Sequence, residues 1–146
     1  MQQTELAHTL LRISYGMILF AHGYLLKVQT FTIAGTVGFF ESLGLPAIAA
    51  YLVIFGEVIG GLALIFGLFT RLAAWLSLPI MLGAIWPHVG NGWVFSAQGG
   101  GWEFPAILAV MAIVIGLAGP GRWALDHHPS LVALRRRSEP EASAAV

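Results

Sequence analysis

Glu57 is the one charged side chain in the apolar run from Ala47 to Phe69. His22 sits near the end of a second such run, Leu6 to Leu26, and Lys27 follows it directly. His88 closes a third run, Leu72 to Val89, with Asn91 just beyond, and Glu103 stands before a fourth, Phe104 to Ala118. If these runs cross a bilayer, ionisable groups within them are costly and turn towards the bundle interior or a polar cavity. Gly60 and Gly61 follow Glu57 at i+3 and i+4, with Gly56 beside it. Small residues let a neighbouring helix approach closely, and this spacing puts Glu57 on that same face. A carboxylate and an imidazole brought together give and take protons near neutral pH. Glu57 and His22 are therefore the candidate proton-handling pair. His88, Glu103, Lys27 and Asn91 fall at the same end of the predicted bundle and are candidate binding residues. Tyr51, Trp86 and Phe20 are the aromatics expected to line an apolar cleft beside them. The same groups also have a structural reading, because buried polar side chains lock helices together through hydrogen bonds of about 0.6 kcal/mol each.

Other chemistries fit the residue types less well. The sequence has no cysteine, which removes disulfides, thiolate-held iron–sulfur clusters and c-type haem attachment. Carboxylate-bridged metal pairs in helix bundles use Glu-x-x-His, which does not occur here. His127 and His128 are adjacent and do not share a helix face, so they are not read as metal ligands. Haem between two histidines needs partners on facing helices at similar depth. His22 and His88 meet that condition, and nothing else in the sequence supports haem. Net charge is zero, whereas a nucleic-acid-binding surface leaves a basic excess.

The elements that must position these residues are helices in lipid. Hydrophobic residues make up 58% of the 146 and charged residues only 10%, too few to coat a soluble domain, where about 25% is usual. A span needs about 20 apolar residues. The pattern predicts an all-α, integral membrane four-helix bundle, with helices at about 6–26, 47–69, 72–89 and 102–119, in a domain covering 1–126. Pro46 suits a helix start, Gly44 the end of a preceding helix, and Thr70-Arg71 a tight connection. Pro79 is expected to kink the third span. Gly119-Pro120-Gly121 closes the fourth. Ile33, Val37, Phe40 and Leu43 follow helical spacing, which predicts a short amphipathic helix at the interface between the first two spans. Gly90 to Gly101, rich in glycine and flanked by tryptophan, reads as an interfacial loop.

Arginine and lysine placement sets the expected orientation. Arg12, Arg71, Arg122, Arg135, Arg136 and Arg137 lie on one side and only Lys27 on the other, so both termini are expected in the cytoplasm. Arg12 and Arg71 read as boundary residues that snorkel or reach a carbonyl. Residues 127–146 read as a basic, disordered cytoplasmic tail whose arginine triplet meets anionic lipid. The first run lacks a basic n-region and a cleavage site, so it is expected to be a retained helix.

Three runs carry a resemblance to a known family. "LLRISYGMILFAHGYLLK", "GLPAIAAYLVIFGEVIGGLALIFGLFTRLAA" and "GGGWEFPAILAVMAIVIGLAGPGRWALD" resemble the first helix, the second helix and the closing helix of DoxX-family membrane proteins, over about residues 10 to 126. The resemblance implies a four-helix protein of the bacterial inner membrane. One relative is the membrane subunit of a thiosulfate:quinone oxidoreductase, and others are tied to oxidative-stress or thiol-handling assemblies. It thus implies a link to the quinone pool and a redox partner subunit that supplies the electrons. Two further readings stay open. One is a non-enzymatic anchor for a soluble partner. The other is a small-molecule or ion permease, which would need a homo-oligomer because four helices make a thin wall.

Overall fold

A computed structural model describes residues 2–130 and residue 132. The tail beyond them, with its arginine triplet and expected disorder, lies outside the described residues. Five α-helices follow one another: α1 (Gln2–Phe20), α2 (Thr32–Ser42), α3 (Ala47–Phe66), α4 (Thr70–Ile85) and α5 (Glu103–Ala118). Helix α1 does not stop at Phe20. It continues without a break as a π-helix over Ala21–Thr30, so the first span runs four residues further at each end than the apolar run. Helix α4 continues as a 3-10 helix, Trp86–Asn91. Gln2–Thr30, Ala47–Phe66 and Thr70–Asn91 are each long and apolar enough to cross a membrane. Helix α5 is uncharged after Glu103 and shorter, at 16 residues, or about 24 Å of rise. The architecture is a helical bundle, with α2 as the extra short helix between the first two spans.

Helix α1 packs on α3, and α4 packs on α5 and α3. The α1–α3 crossing is a backbone contact. A Cβ on Gly61 would sit 2.6 Å from the Phe20 nitrogen, and one on Gly16 would sit 2.8 Å from the Gly61 carbonyl oxygen. Only glycine at both positions allows this approach. Gly60, by contrast, has open space beside it, so Gly61 alone of the pair serves the close-packed face. The core between the helices holds Tyr15, Leu19, Leu64, Met81, Leu108 and Ile115. Ser77 donates to the Ala74 carbonyl, so the Tyr15 hydroxyl must be the donor in its 2.8 Å bond to Ser77 Oγ.

One end of the bundle is tied by Arg12, which is fully buried and, of the two expected behaviours at the boundary, reaches carbonyls rather than snorkelling. Its guanidinium donates to five carbonyls, those of Leu64, Ile65, Pro120, Arg122 and Trp123. The α3–α4 turn is held from the same end. Gly67 takes the left-handed conformation that ends α3. Phe69 and Thr70 then donate their backbone N–H groups to the Asp126 carboxylate at 2.8 and 2.9 Å. A residue beyond the last span therefore caps the start of α4, where a negative charge also complements the helix dipole.

Arg12→Leu removes the donor to all five carbonyls; Leu64 and Arg122 keep bonds from the Gly67 N–H and the Thr9 hydroxyl, while those of Ile65, Pro120 and Trp123 lose the guanidinium. Unfolding followed by denaturant titration in detergent should show a loss of about 3 kcal/mol or more. Arg12→Lys should recover only part of it, since an ammonium has three donors against the five of a guanidinium.

Candidate functional site

The site begins with the winding of the first span. In an α-helix, His22 and Lys27, five residues apart, would point about 140° away from each other. In the π-helix the bonds run between residues five apart, as from the Phe31 N–H to the Leu26 carbonyl at 2.8 Å. Residues four and five apart then stack on one side. His22, Leu26, Lys27 and Phe31 accordingly share a face, and all four line one cavity. π-Helices usually occur as single turns at functional positions; this one extends over ten residues and carries two of the candidate residues.

Gly23 sets the π-helix directly against α3, where an added Cβ would lie 2.8 Å from the Cβ of Glu57. Glu57 is 3% exposed. Lys27 Nζ reaches it and donates to both carboxylate oxygens at 2.8 and 2.7 Å. This is the ion pair between the first and second spans. His22 Nδ1 lies 2.9 Å from the Ile18 carbonyl. A carbonyl only accepts, so Nδ1 carries the proton, and in the neutral ring Nε2 is left as an acceptor. The ring stacks on Phe104 of α5 at 5.6 Å between centroids. Helix α2 is tied to the same place: Thr36 is buried and donates to the Lys27 carbonyl at 2.9 Å.

These groups form the polar part of a cavity of about 720 Å³. Its walls are mainly apolar, with Phe40 from α2, Leu43 just after it, Val53 from α3, Ile80 from α4 and Leu108 from α5 among them. That volume lies within the range of small-molecule sites, which are typically apolar with a few convergent polar groups. His88 and Trp86 also line it. His88 Nδ1 donates to the Gly99 and Gly100 carbonyls at 3.1 and 3.2 Å, pinning the glycine-rich loop as one wall.

The other candidate residues fall outside the cavity lining. Tyr51 is half exposed on the far side of α3. Phe20 stacks on Tyr24. Asn91 donates to the Gly99 and Gly100 carbonyls and so braces the loop. Glu103 accepts the Phe95 backbone N–H at 2.7 Å and lines only a shallow neighbouring depression with Trp93 and Phe95. The face that α2 turns to the cavity runs through Thr36, Phe39, Phe40 and Leu43, and Ile33 points away, exposed. Sequence spacing did not single out Thr36 or the π-winding. The one available signal was a lysine five residues after a histidine, with a glycine between them.

Apolar spans folded round a cavity with a buried ion pair make this a small polytopic membrane protein. The chain belongs to the DoxX family, whose model matches residues 7–90; the run from 99 to 126 lies beyond that match. It is 37% identical over 128 residues to "Putative oxidoreductase CatD" of Bacillus subtilis (strain 168), covering 84% of this chain and 86% of that one. No solved structure matches the chain.

Breaking the ion pair should be asymmetric. Lys27→Met strands a carboxylate deep between helices and should cost about 3 kcal/mol. Glu57→Gln leaves a lysine whose long stem can carry the ammonium elsewhere, and should cost about half as much. The double variant Lys27→Met/Glu57→Gln should recover most of the loss seen in Lys27→Met, as read by a double-mutant cycle of unfolding free energies.

Proposed function

We propose that this protein is the quinone-binding membrane subunit of an oxidoreductase of the bacterial inner membrane, both termini on the cytoplasmic side. The observation that carries this reading is the two-part cavity. Its polar part offers hydrogen-bonding groups suited to a quinone ring, and its apolar walls suit the rest of such a molecule. Membership of the DoxX family and likeness to a protein named as an oxidoreductase support the redox assignment. The count of six arginines against one lysine supports the orientation.

Reducing a quinone to a quinol takes two electrons and two protons. The electrons come from a partner subunit, since the sequence carries no metal or flavin motif and no cysteine to hold a cluster or exchange thiols. The protons fall to the residues at the cavity's polar part. The Lys27 ammonium has three donors, and the Glu57 carboxylate takes two. The third is free to meet a quinone carbonyl oxygen. Of the two protons that reduction consumes, Lys27 gives one to the oxygen it meets, and His22, first protonated at Nε2 from water, gives the other; both residues take the protons back when a quinol is oxidised. Glu57 holds Lys27 in place and shares its proton. His88, by fixing the glycine-rich loop, shapes the wall against which the ring lies.

In membranes containing the intact complex, His22→Ala and Glu57→Gln should each lower quinone-linked electron transfer by about 100-fold, the scale of a lost proton-transfer group. Unchanged rates with both variants would remove the quinone assignment. A second reading, an anchor for a soluble partner, draws on the two short bonds of the ion pair, which fasten the π-helix to α3 with or without a ligand. It expects Glu57→Gln to lower stability while quinone binding, measured by calorimetry, stays as it was.

A further inference from the structure

The cavity has two lips. Along α2 and the residue before it, Phe31, Gly35 and Phe39 recur at i, i+4 and i+8. Along α4 and its extension, Pro79, Gly83 and Trp86 recur at i, i+4 and i+7. All six line the cavity, and all six are exposed. A residue that does both marks a rim, and two such rows on neighbouring elements outline a slot. The packing agrees: α2 rests on α3 and the π-helix, while α4 rests on α3 and α5, which leaves the seam between α2 and α4 as the side where the cavity opens. Pro79 and Gly83 fall within the apolar span Thr70–Asn91, so the slot opens at the level of a membrane-spanning helix rather than beyond its end.

We infer that the ligand arrives and leaves sideways, from within the bilayer, through the slot between α2 and α4. It carries a flexible apolar chain that lies between the lips while the polar ring rests against His22, Lys27 and Glu57. The quinone identity of the ring rests on the reading above; the lateral route and the chain follow from the slot. A glycine sits at the middle of each lip. A Cβ on Gly83 would meet nothing within 4 Å, and one on Gly35 would meet only Thr32 Oγ1, at 3.5 Å. Both positions therefore have room for a Cβ pointing towards the slot, and their smallness leaves the slot wide. Gly35 and Gly83 are thus specificity-determining positions for the chain of the ligand.

The test uses the full chain in nanodiscs. A ubiquinone-type ring bearing a decyl tail is compared with the same ring lacking a tail. Gly83→Leu and Gly35→Leu should weaken binding of the tailed compound about tenfold and leave the tailless one within twofold, with melting temperatures unchanged. Equal weakening of both compounds, or of neither, overturns the inference. Because the chain has no cysteine, Gly83→Cys carries the only thiol and takes a nitroxide label. Oxygen dissolved in lipid should relax that label more effectively than an aqueous nickel chelate does. The opposite order overturns the lateral route whether or not quinone binds. If the wild-type protein binds neither quinone while the label faces lipid, the quinone reading fails and the slot stands as the path for another chain-bearing lipid.

Discussion

A single guanidinium organises this molecule. Arg12 enters the bundle where lipid would otherwise tolerate no charge, and it does so by gathering carbonyls from two places, the end of α3 and the turn after α5. Backbone carbonyls at helix ends lack intrahelical partners, and hydrocarbon offers none. Arg12 turns that deficit into a junction among the first, second and last spans. Asp126 does the complementary work for the first N–H groups of α4. With one end of the bundle fastened in this way, the opposite end is free to splay. The cavity is at that opposite end, where α2 and the glycine-rich loop stand in for close helix packing.

Much of this fold was legible from composition and hydropathy alone. The spans, the glycine and proline punctuation and the extra helix before α3 follow from the mismatch between apolar helices and water, which is a property of long stretches. What stayed hidden depends on single residues. A π-winding cannot be read from periodicity that assumes 3.6 residues per turn, so the sequence puts His22 and Lys27 at the same end of the bundle without showing that they share a face. Arg12 carries the same charge whether it snorkels or is buried. Only the positions of distant carbonyls decide between them, and those are set by tertiary packing. Tyr51 and Glu103 were grouped with the site because they lie near it along the sequence and in depth, yet helix rotation turns Tyr51 outward and a local backbone N–H claims Glu103.

The contrast between the two charge arrangements is informative. Arg12 is matched mainly by fixed backbone dipoles that no small ligand could displace. Lys27 and Glu57 are matched by each other, beside an apolar space. The ammonium keeps one donor in reserve, and His22 adjoins with an unused nitrogen. An arrangement whose polar groups are only partly consumed by the protein can exchange partners with a ligand at little energetic loss. The fully consumed one cannot, and serves rigidity instead.

Arg12 also bears on how the chain is made. It leaves the ribosome about a hundred residues before the carbonyls of 120–123 and the carboxylate of Asp126. Until they arrive, the first span carries an incompletely matched cation and the start of α4 lacks its cap. Final closure of the bundle therefore waits for the segment after α5 rather than following the insertion of each helix in turn.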